Sequence, residues 1–266
     1  MGGEMKTTTI CFANNKGGSG KTTTCSNVGY ALSELGKKVL LIDGDMQLNL
    51  SLSFFDEEEV LSYATGENNL YYGIKYQKDL SEFIIHTKYA GLDLIPSSTL
   101  MSGIEYDLFT KIQREFILKK GIQKIKDSGE YDYILIDAPP TLGGWVMNIL
   151  IASDYLLIPV EASPWGLFGL ANMFEFFNAM QEVSPDLELM GIAITKVDVR
   201  KNYFKQTMET LAELEGVTVF SSCVRIDSTV EWAQDNSAPV VAYKKSSRSA
   251  KEYMELAKEI DGYGSR

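Results

Sequence analysis

The segment from Ala13 to Thr24 contains the residues whose types and spacing most clearly specify chemistry. It reads Ala-Asn-Asn-Lys-Gly-Gly-Ser-Gly-Lys-Thr-Thr-Thr and lies between a strand-like apolar run and a helix-like one. A glycine-rich turn there lets backbone N–H groups converge on phosphate oxygens, while a lysine reaches the β- and γ-phosphates and a hydroxyl binds Mg²⁺. The sequence therefore predicts a nucleoside triphosphate site, with Lys21 and Thr22 in the last two roles.

The predicted phosphate loop departs from the common pattern G-x-x-x-x-G-K-[ST] at its first position. Counting back from Gly20 places Asn15 where that pattern has a glycine, and a second lysine, Lys16, follows directly. The residues that we predict to bind nucleotide in this segment are Asn15, Lys16, Gly17, Gly18, Ser19, Gly20, Lys21, Thr22 and Thr23.

Carboxylates follow two other strand-like runs. Asp43 and Asp45 come after one run, and Asp137 comes directly after another. Ligands of doubly wound sheets bind beyond the carboxyl ends of the strands, so we expect these acids to meet the phosphate loop. Phosphoryl transfer to water needs positioning and charge neutralisation. We predict that Thr22 and, directly or through water, Asp137 hold Mg²⁺, and that an acid of the pair Asp43 and Asp45 positions the attacking water.

The elements that must place these residues indicate an α/β fold, a doubly wound, mostly parallel sheet with helices on both faces. A single domain over residues 1–266 is expected, with an irregular insertion around residues 56–90 that holds an acidic run, Asp56 to Glu59. The predicted strands are Thr8 to Ala13, Val39 to Ile42, Leu92 to Ile95, Tyr133 to Ile136, Tyr155 to Val160, Leu189 to Thr195 and Val217 to Phe220. The predicted helices are Lys21 to Leu35, Ile104 to Lys126, Gly166 to Glu182 and Tyr203 to Leu214.

The two-lysine loop resembles the deviant Walker A box of the ParA/MinD family of dimerising ATPases. Three further segments resemble that family in the same order along the chain: residues 40–49 its second acidic box, residues 133–140 its Walker B strand and switch, and residues 246–259 the terminal helix of the ParA/Soj partition branch. The resemblance covers nearly the whole chain. It implies a P-loop ATPase that uses ATP and Mg²⁺ and turns over slowly until a partner stimulates it.

The resemblance also implies roles for single residues. In this family the signature lysine, here Lys16, reaches across a nucleotide-sandwich homodimer to the partner's phosphates, so hydrolysis is coupled to dimerisation. Asp45 matches the residue needed for hydrolysis, and Asp43 is expected to support the metal side of the site. Lys196 and Asp198 resemble a base-contacting motif of related P-loop proteins. Met46 and Leu48 depart from the family by replacing a proline and a glycine of the switch loop.

Charge gives two opposing indications about nucleic acid. The net charge of −11 argues against general nucleic-acid affinity. Residues 239–251, however, contain basic residues and no acid, and the resemblance places Arg200 and Arg225 in DNA-binding segments, although a usual second arginine is Ser228 here. We therefore expect non-specific DNA binding by a basic face of the dimer. Its predicted members are Arg200, Arg225, Lys244, Lys245, Arg248 and Lys251.

The resulting hypothesis is a cytoplasmic, nucleoid-associated ATPase that partitions a plasmid, mobile element or chromosome with a ParB-like adaptor. No signal peptide and no apolar run of membrane-spanning length is visible. One alternative is a MinD-like positioning ATPase or another switch of this class acting on a protein or membrane partner, although residues 255–266 lack the basic amphipathic character that lipid binding needs. Two further alternatives are a tyrosine autokinase and a nucleotide switch that does not hydrolyse ATP.

Other chemistry is disfavoured by composition. The three cysteines, Cys11, Cys25 and Cys223, lack disulfide or zinc spacing and are expected to pack in the core. His86 is the single histidine of the chain, so a metal cluster of several histidines is excluded, and a Ser-His-Asp triad, which would need His86 itself, is disfavoured.

Overall fold

A seven-stranded sheet organises the computed structural model, which describes residues 7–163 and 166–263. Its strands lie in the spatial order β3-β4-β2-β5-β1-β6-β7. Neighbouring strands are parallel, except that β3 runs antiparallel to β4 at one edge. The strands are β1 (Thr8–Phe12), β2 (Val39–Asp43), β3 (Ile85–His86), β4 (Leu92–Ile95), β5 (Tyr133–Asp137), β6 (Tyr155–Glu161) and β7 (Glu188–Thr195).

Helices cover both faces of this sheet, which confirms the predicted fold class. Within the described residues, no helix combines the length and apolarity needed to span a bilayer. The helices are α1 (Lys21–Glu34), α2 (Asn49–Leu52), α3 (Glu57–Thr65), α4 (Leu70–Lys75), α5 (Ile104–Phe109), α6 (Ile117–Gly121), α7 (Gln123–Ser128), α8 (Gly144–Ala152), α9 (Leu170–Val183), α10 (Asn202–Ala212), α11 (Ser228–Asp235), α12 (Val240–Tyr243) and α13 (Arg248–Asp261).

Two hydrophobic cores lie on opposite faces of the sheet. One joins the strands to α4–α10, and the other joins them to α1–α3 and α11–α13. Strands covered on both faces have no polar side to alternate with, which explains the continuous apolar runs of β2 and β5. The same coverage fixes the carboxyl ends of the central strands, where the candidate site lies.

The predicted strand over Val217 to Phe220 is wrong. Val219 makes only an isolated parallel bridge to Ile192, because the chain runs beside β7 for too short a distance to form a ladder. The seventh strand is instead β3, which the sequence did not indicate since two residues carry no readable periodicity.

The predicted helix from Ile104 to Lys126 is also wrong, because the segment is divided. After α5 ends at Phe109, Gln113 adopts a left-handed conformation with φ 52°, and a short 3₁₀ turn, Arg114–Phe116, precedes α6 and α7. A left-handed residue cannot continue a right-handed hydrogen-bond ladder. The apolar spacing that predicted one helix therefore belongs to several short ones.

Residues 56–90 are more regular than expected. They contain α3, α4, a 3₁₀ turn at Leu80–Phe83 and β3. The acidic run begins α3: the Asp56 side chain accepts from the Glu59 N–H at 2.8 Å, and the Glu59 carboxylate accepts from the Asp56 N–H at 3.2 Å. Acids in a first turn complement the positive end of the helix. The run is thus a solvated helix cap; whether the segment is an insertion stays a prediction.

The terminal segment and the cysteines follow their predictions closely. The predicted terminal helix is α13, whose N-cap Ser247 accepts from the Ala250 N–H at 3.2 Å. Cys11 and Cys25 are buried, Cys223 is half-buried, and all three thiols are free. The last residues of the acidic tail, 264–266, lie outside the described residues.

We expect the pKa of His86 to lie above its usual 6.5, because its Nδ1 lies 2.8 Å from Asp93 Oδ1 across the β3–β4 pair. The interaction favours the charged imidazole in the folded state, so the stability it contributes is present at low pH and is lost as pH rises through the pKa of His86. Since the chain has one histidine, NMR titration of its ring protons measures this pKa directly. Asp93→Asn should bring the pKa down; an unchanged value would contradict this pairing.

Candidate functional site at the carboxyl edge of the sheet

The loop between β1 and α1 presents an uncapped helix start to the carboxyl edge of the sheet. Gly20, the N-cap of α1, has a left-handed φ of 85°, and no described side chain caps the helix. Thr195 Oγ1 donates to the Ser19 carbonyl at 2.8 Å and so ties the loop to the end of β7. The free N–H groups and the helix dipole make this turn a ready anion site.

Lys21 is buried beside acidic groups at the start of α1. Its Nζ donates to the Lys16 carbonyl at 3.2 Å, and the residue is 6% exposed. Burial lowers the pKa of Lys21, while the nearby Asp137 and Asp45 act in the opposite direction. The lysine therefore supplies a desolvated positive charge at the position where the loop would hold phosphate.

Thr22 and Asp137 form a pair of oxygen groups next to that lysine. Thr22 Oγ1 donates to Asp137 Oδ2 at 2.6 Å, whereas the buried Asp137 Oδ1 has no hydrogen-bond partner. Burial and the neighbouring Asp43 raise the pKa of Asp137 well above its ordinary value. A carboxylate oxygen without a hydrogen-bond partner and a neighbouring hydroxyl oxygen are suitable ligands for Mg²⁺. This ion usually binds one or two protein ligands together with phosphate oxygens.

Within the described residues, no group of three or more His, Cys, Asp or Glu side chains is placed to hold a metal ion. Binding of Mg²⁺ by Thr22 and Asp137 stays a prediction.

Asp43 is held by the loop that follows it. Its Oδ2 accepts from the N–H and the Oγ of Ser51 at 2.8 and 2.7 Å, and its Oδ1 accepts from the Asp45 N–H at 3.2 Å. Burial raises its pKa to about 6, against these hydrogen bonds. Both oxygens are thus engaged in ordering residues 43–51, and a direct metal contact by Asp43 stays a prediction.

Asp45 faces the pocket at this edge. The pocket has a volume of about 480 Å³ and is lined by both P-loop residues and Asp45. Six of the nine predicted loop residues line it, namely Gly17, Gly18, Gly20, Lys21, Thr22 and Thr23. Asn15, Lys16 and Ser19 do not line it, and the Asn15 Oδ1 and Ser19 Oγ atoms are buried without a hydrogen-bond partner.

Lys16 is turned away from the pocket toward the end of β6. Its Nζ lies 2.9 Å from Glu161 Oε2 and 3.1 Å from Ser163 Oγ. Both charged side chains are about a quarter exposed, so solvent reaches the pair and screens part of its attraction.

The predicted base-contacting pair is divided by the fold. Lys196, with a left-handed φ of 51°, borders the pocket, and its Nζ lies 3.9 Å from the position that a Cβ on Gly18 would take. Asp198 instead receives both the Nε and an Nη of Arg200, at 2.9 and 3.0 Å, which lowers its pKa to about 2. Asp198 and Arg200 thus satisfy each other outside the pocket lining.

The predicted basic residues lie in two settings. Arg225 pairs with Glu252, and Arg248, which donates to the Ile226 carbonyl at 2.6 Å, lies 3.9 Å from the same carboxylate. Lys251 joins Arg225 along one shallow depression. Lys245 pairs with Glu34 of α1, whereas Lys244 and Lys251 are exposed and form no ion pair with any described residue. The acids Glu252 and Glu34 therefore offset part of the positive charge.

Leu48 is strained at the position where the resembled switch loop has a glycine. It precedes α2 in the left-handed conformation, with φ 62°. A side chain in this conformation costs roughly 1–2 kcal/mol. The departure noted in the sequence therefore changes the energy of the loop that carries Asp45.

Several residues at the site carried no sequence signal. Gln234 and Asp235 of α11 line the pocket, and the Gln234 Nε2 donates to Thr23 Oγ1 at 3.3 Å. Glu161, the partner of Lys16, only ends an apolar strand in the sequence. Trp145, whose Nε1 donates to the Gly44 carbonyl at 2.8 Å, only belongs to an apolar helix. All four are brought to the site from distant parts of the chain, so no spacing rule could have found them.

Comparison with known proteins agrees with this architecture. Residues 7–189 match a family model described as an AAA domain. The chain is 34% identical over 256 residues to the sporulation initiation inhibitor protein Soj of Bacillus subtilis, a match that covers 96% of this chain and 98% of Soj.

Two solved structures are similar over nearly the whole chain. A putative plasmid partition protein of Borrelia burgdorferi bound to AMPPNP has a TM-score of 0.76 and 28% identity, covering 95% of this chain and 97% of that one. A cobyrinic acid a,c-diamide synthase of Mycobacterium smegmatis with ADP and magnesium has a TM-score of 0.82 and 25% identity, covering 97% and 96%.

Gly44, between the two aspartates, should not tolerate a side chain. A Cβ there would lie 2.6 Å from the Asp137 carbonyl oxygen, which is backbone and cannot move aside. We expect Gly44→Ala to lower the free energy of unfolding by roughly 1–3 kcal/mol. Gly144→Ala is the matched control, since nothing lies within 4 Å of its Cβ position. Equal stabilities of the two variants in urea unfolding would contradict the close approach.

Proposed function

Since the chain belongs to the ParA/Soj family of partition ATPases, we propose that it hydrolyses ATP slowly as an ATP-dependent homodimer, binds DNA without sequence preference, and partitions DNA with a ParB-like adaptor. Binding to DNA would make the protein nucleoid-associated. The observation that carries the nucleotide part is the buried Lys21 between an uncapped helix start and the carboxylates of Asp45 and Asp137. The complexes of two similar structures with AMPPNP, or with ADP and magnesium, support it.

The P-loop residues would bind different parts of the triphosphate. Backbone N–H groups around Gly18 and Gly20 would bind phosphate oxygens, and Lys21 would lie at the β- and γ-phosphates. Thr22 and Asp137 would hold Mg²⁺, which supplies neutralisation of the charge that develops on the phosphate oxygens. Lys196 borders the same pocket next to Gly18 and would also contact the nucleotide.

Asp45 would position the attacking water. It is 7% exposed and lines the pocket, and its Oδ1 accepts from the Gln47 N–H at 3.1 Å, which leaves Oδ2 to face a water molecule. A carboxylate in this place contributes by orientation and by accepting a proton, effects that act on the chemical step rather than on nucleotide binding.

Lys16 would complete the site of a second protomer. Within its own chain it pairs with Glu161 and does not line the pocket. Separation of this partly exposed pair would free a cation to stabilise the transition state across a dimer, as an arginine finger does. Turnover would then depend on dimerisation.

The DNA contact is proposed for the face that contains Arg225, Arg248 and Lys251. Arg200 and Lys201 extend it from the loop after β7, because Val199 borders the same depression as Arg225 and Lys251. Duplication in a dimer would double these charges and give salt-sensitive binding to phosphates. Partial neutralisation by Glu252 predicts modest affinity for a single protomer.

We expect purified protein to hydrolyse ATP slowly and faster with non-specific duplex DNA at low salt. Asp45→Ala should lower kcat about 100-fold or more, because it removes the group that orients the water, while ATP still drives a dimer visible by light scattering. Lys16→Ala should lower turnover to background with ATP bound. Full turnover by Lys16→Ala would overturn its role across the dimer. Indifference to DNA together with ATP-dependent pelleting on anionic vesicles would favour a membrane-acting switch instead.

Lys251→Ala should weaken DNA binding at every sequence and reduce the slope of log Kd against log salt by about 1 per protomer, or about 2 for the dimer, because each protomer leaves one DNA phosphate no longer neutralised. Lys251 is exposed and unpaired within the described chain, so its removal leaves no buried charge behind. Lys88→Ala, which removes the same charge beside the opposite sheet edge, is the matched control. Fluorescence anisotropy with a labelled duplex measures both; equal slopes would remove Lys251 from the DNA face.

A further inference from the structure

Trp145, the second residue of α8, is hydrogen-bonded to the backbone of Gly44, the residue before Asp45. Its Nε1 donates to the Gly44 carbonyl oxygen at 2.8 Å, across 101 positions of sequence. Gly44 is buried, and Trp145 is 3% exposed. The hydrogen bond is therefore shielded from water, which strengthens it and makes its loss costly.

This contact fixes one peptide unit at both ends. The Gly44 carbonyl and the Asp45 N–H belong to the same planar peptide. Trp145 donates to its oxygen at 2.8 Å, and Asp43 Oδ1 accepts from its N–H at 3.2 Å. The Gly44 N–H is held in turn by the Asp137 carbonyl at 3.0 Å. The plane that sets the direction of the Asp45 side chain thus has little freedom to rotate.

The indole itself is held rigidly. The backbone N–H of Trp145 donates to Glu105 Oε1 at 3.3 Å, which anchors the start of α8. The indole ring packs in the same hydrophobic core as Ile149. By contrast, the Trp145 side chain forms no hydrogen bond with Lys21 or Thr22, the residues proposed to bind the triphosphate and its cation.

We propose that Trp145 is a positioning residue for Asp45, and this inference rests on the proposed role of Asp45 in orienting the attacking water. Without the indole N–H, the buried Gly44 oxygen loses its donor and the 44–45 peptide can rotate. Asp45 then spends less time at the angle that orients water, and displacements near 1 Å at a reacting group cost about 100-fold in rate. Nucleotide binding stays intact, because the P-loop contacts do not pass through this peptide.

The test is steady-state ATP hydrolysis by Trp145→Phe, which keeps an aromatic ring but removes the donor. We expect kcat to fall roughly tenfold or more with the KM for ATP within about twofold of the parent value, the pattern of an interaction used only in the transition state. Trp232→Phe is the matched control, because Trp232 is 52% exposed and lines no part of the pocket. Its kcat and KM should equal those of the parent.

A double-mutant cycle separates positioning from general damage. In the Asp45→Ala background, Trp145→Phe should lower single-turnover hydrolysis no further, since the residue it positions is absent. Parental kcat for Trp145→Phe beside an impaired Asp45→Ala would overturn this inference alone. A rise in KM that accounts for the whole loss, or additive losses in the double variant, would overturn it as well. Parental turnover by Asp45→Ala would overturn both this inference and the proposed function of Asp45.

Discussion

Three carboxylates buried around one lysine create the electrostatic constraint on which this site depends. Asp45 and Asp137 act on Lys21 at the carboxyl edge of the sheet, and Asp43 lies beside both acids, in surroundings where an uncompensated charge is costly. The raised pKa of Asp137 and the pKa of about 6 for Asp43 express that cost. A cation that binds here would neutralise the excess negative charge of the carboxylates. A phosphate bound at the loop would attract the same cation. A preference for a metal–nucleotide pair follows from this arrangement.

The same constraint explains why the carboxylates differ in their hydrogen bonds. Asp43 has both oxygens engaged by Ser51 and Asp45, so its charge organises the loop rather than the ligand. Asp137 keeps one oxygen free beside Thr22. Asp45 lies nearest the pocket and depends on Gly44, whose backbone is held between β5 and Trp145. Each acid is suited to a different task by what its neighbours leave available.

Two features concern how the loops of this site are held. The Lys16–Glu161 pair is partly exposed to solvent, and it holds Lys16 away from the pocket. Leu48 stores backbone strain in the loop after Asp45, at a position where glycine would store none. Strain of this kind is retained at functional loops because the surrounding packing over-determines it. The loop that carries Asp45 is therefore anchored at its start and strained four residues later.

The sequence by itself determined the phosphate loop, the central strands and the meeting of Asp43 and Asp137, because glycine turns, apolar runs and parallel pairing are local or obey a general topological rule. It also carried the resemblance that identified the family. Only the tertiary structure decided the distant partners of the charged side chains, Glu161 for Lys16 and Glu252 for Arg225. It likewise divided residues 104–126 and brought Trp145 to Gly44. Most of these contacts join residues far apart in the chain, and packing in three dimensions selects them, so no periodicity in the sequence records them.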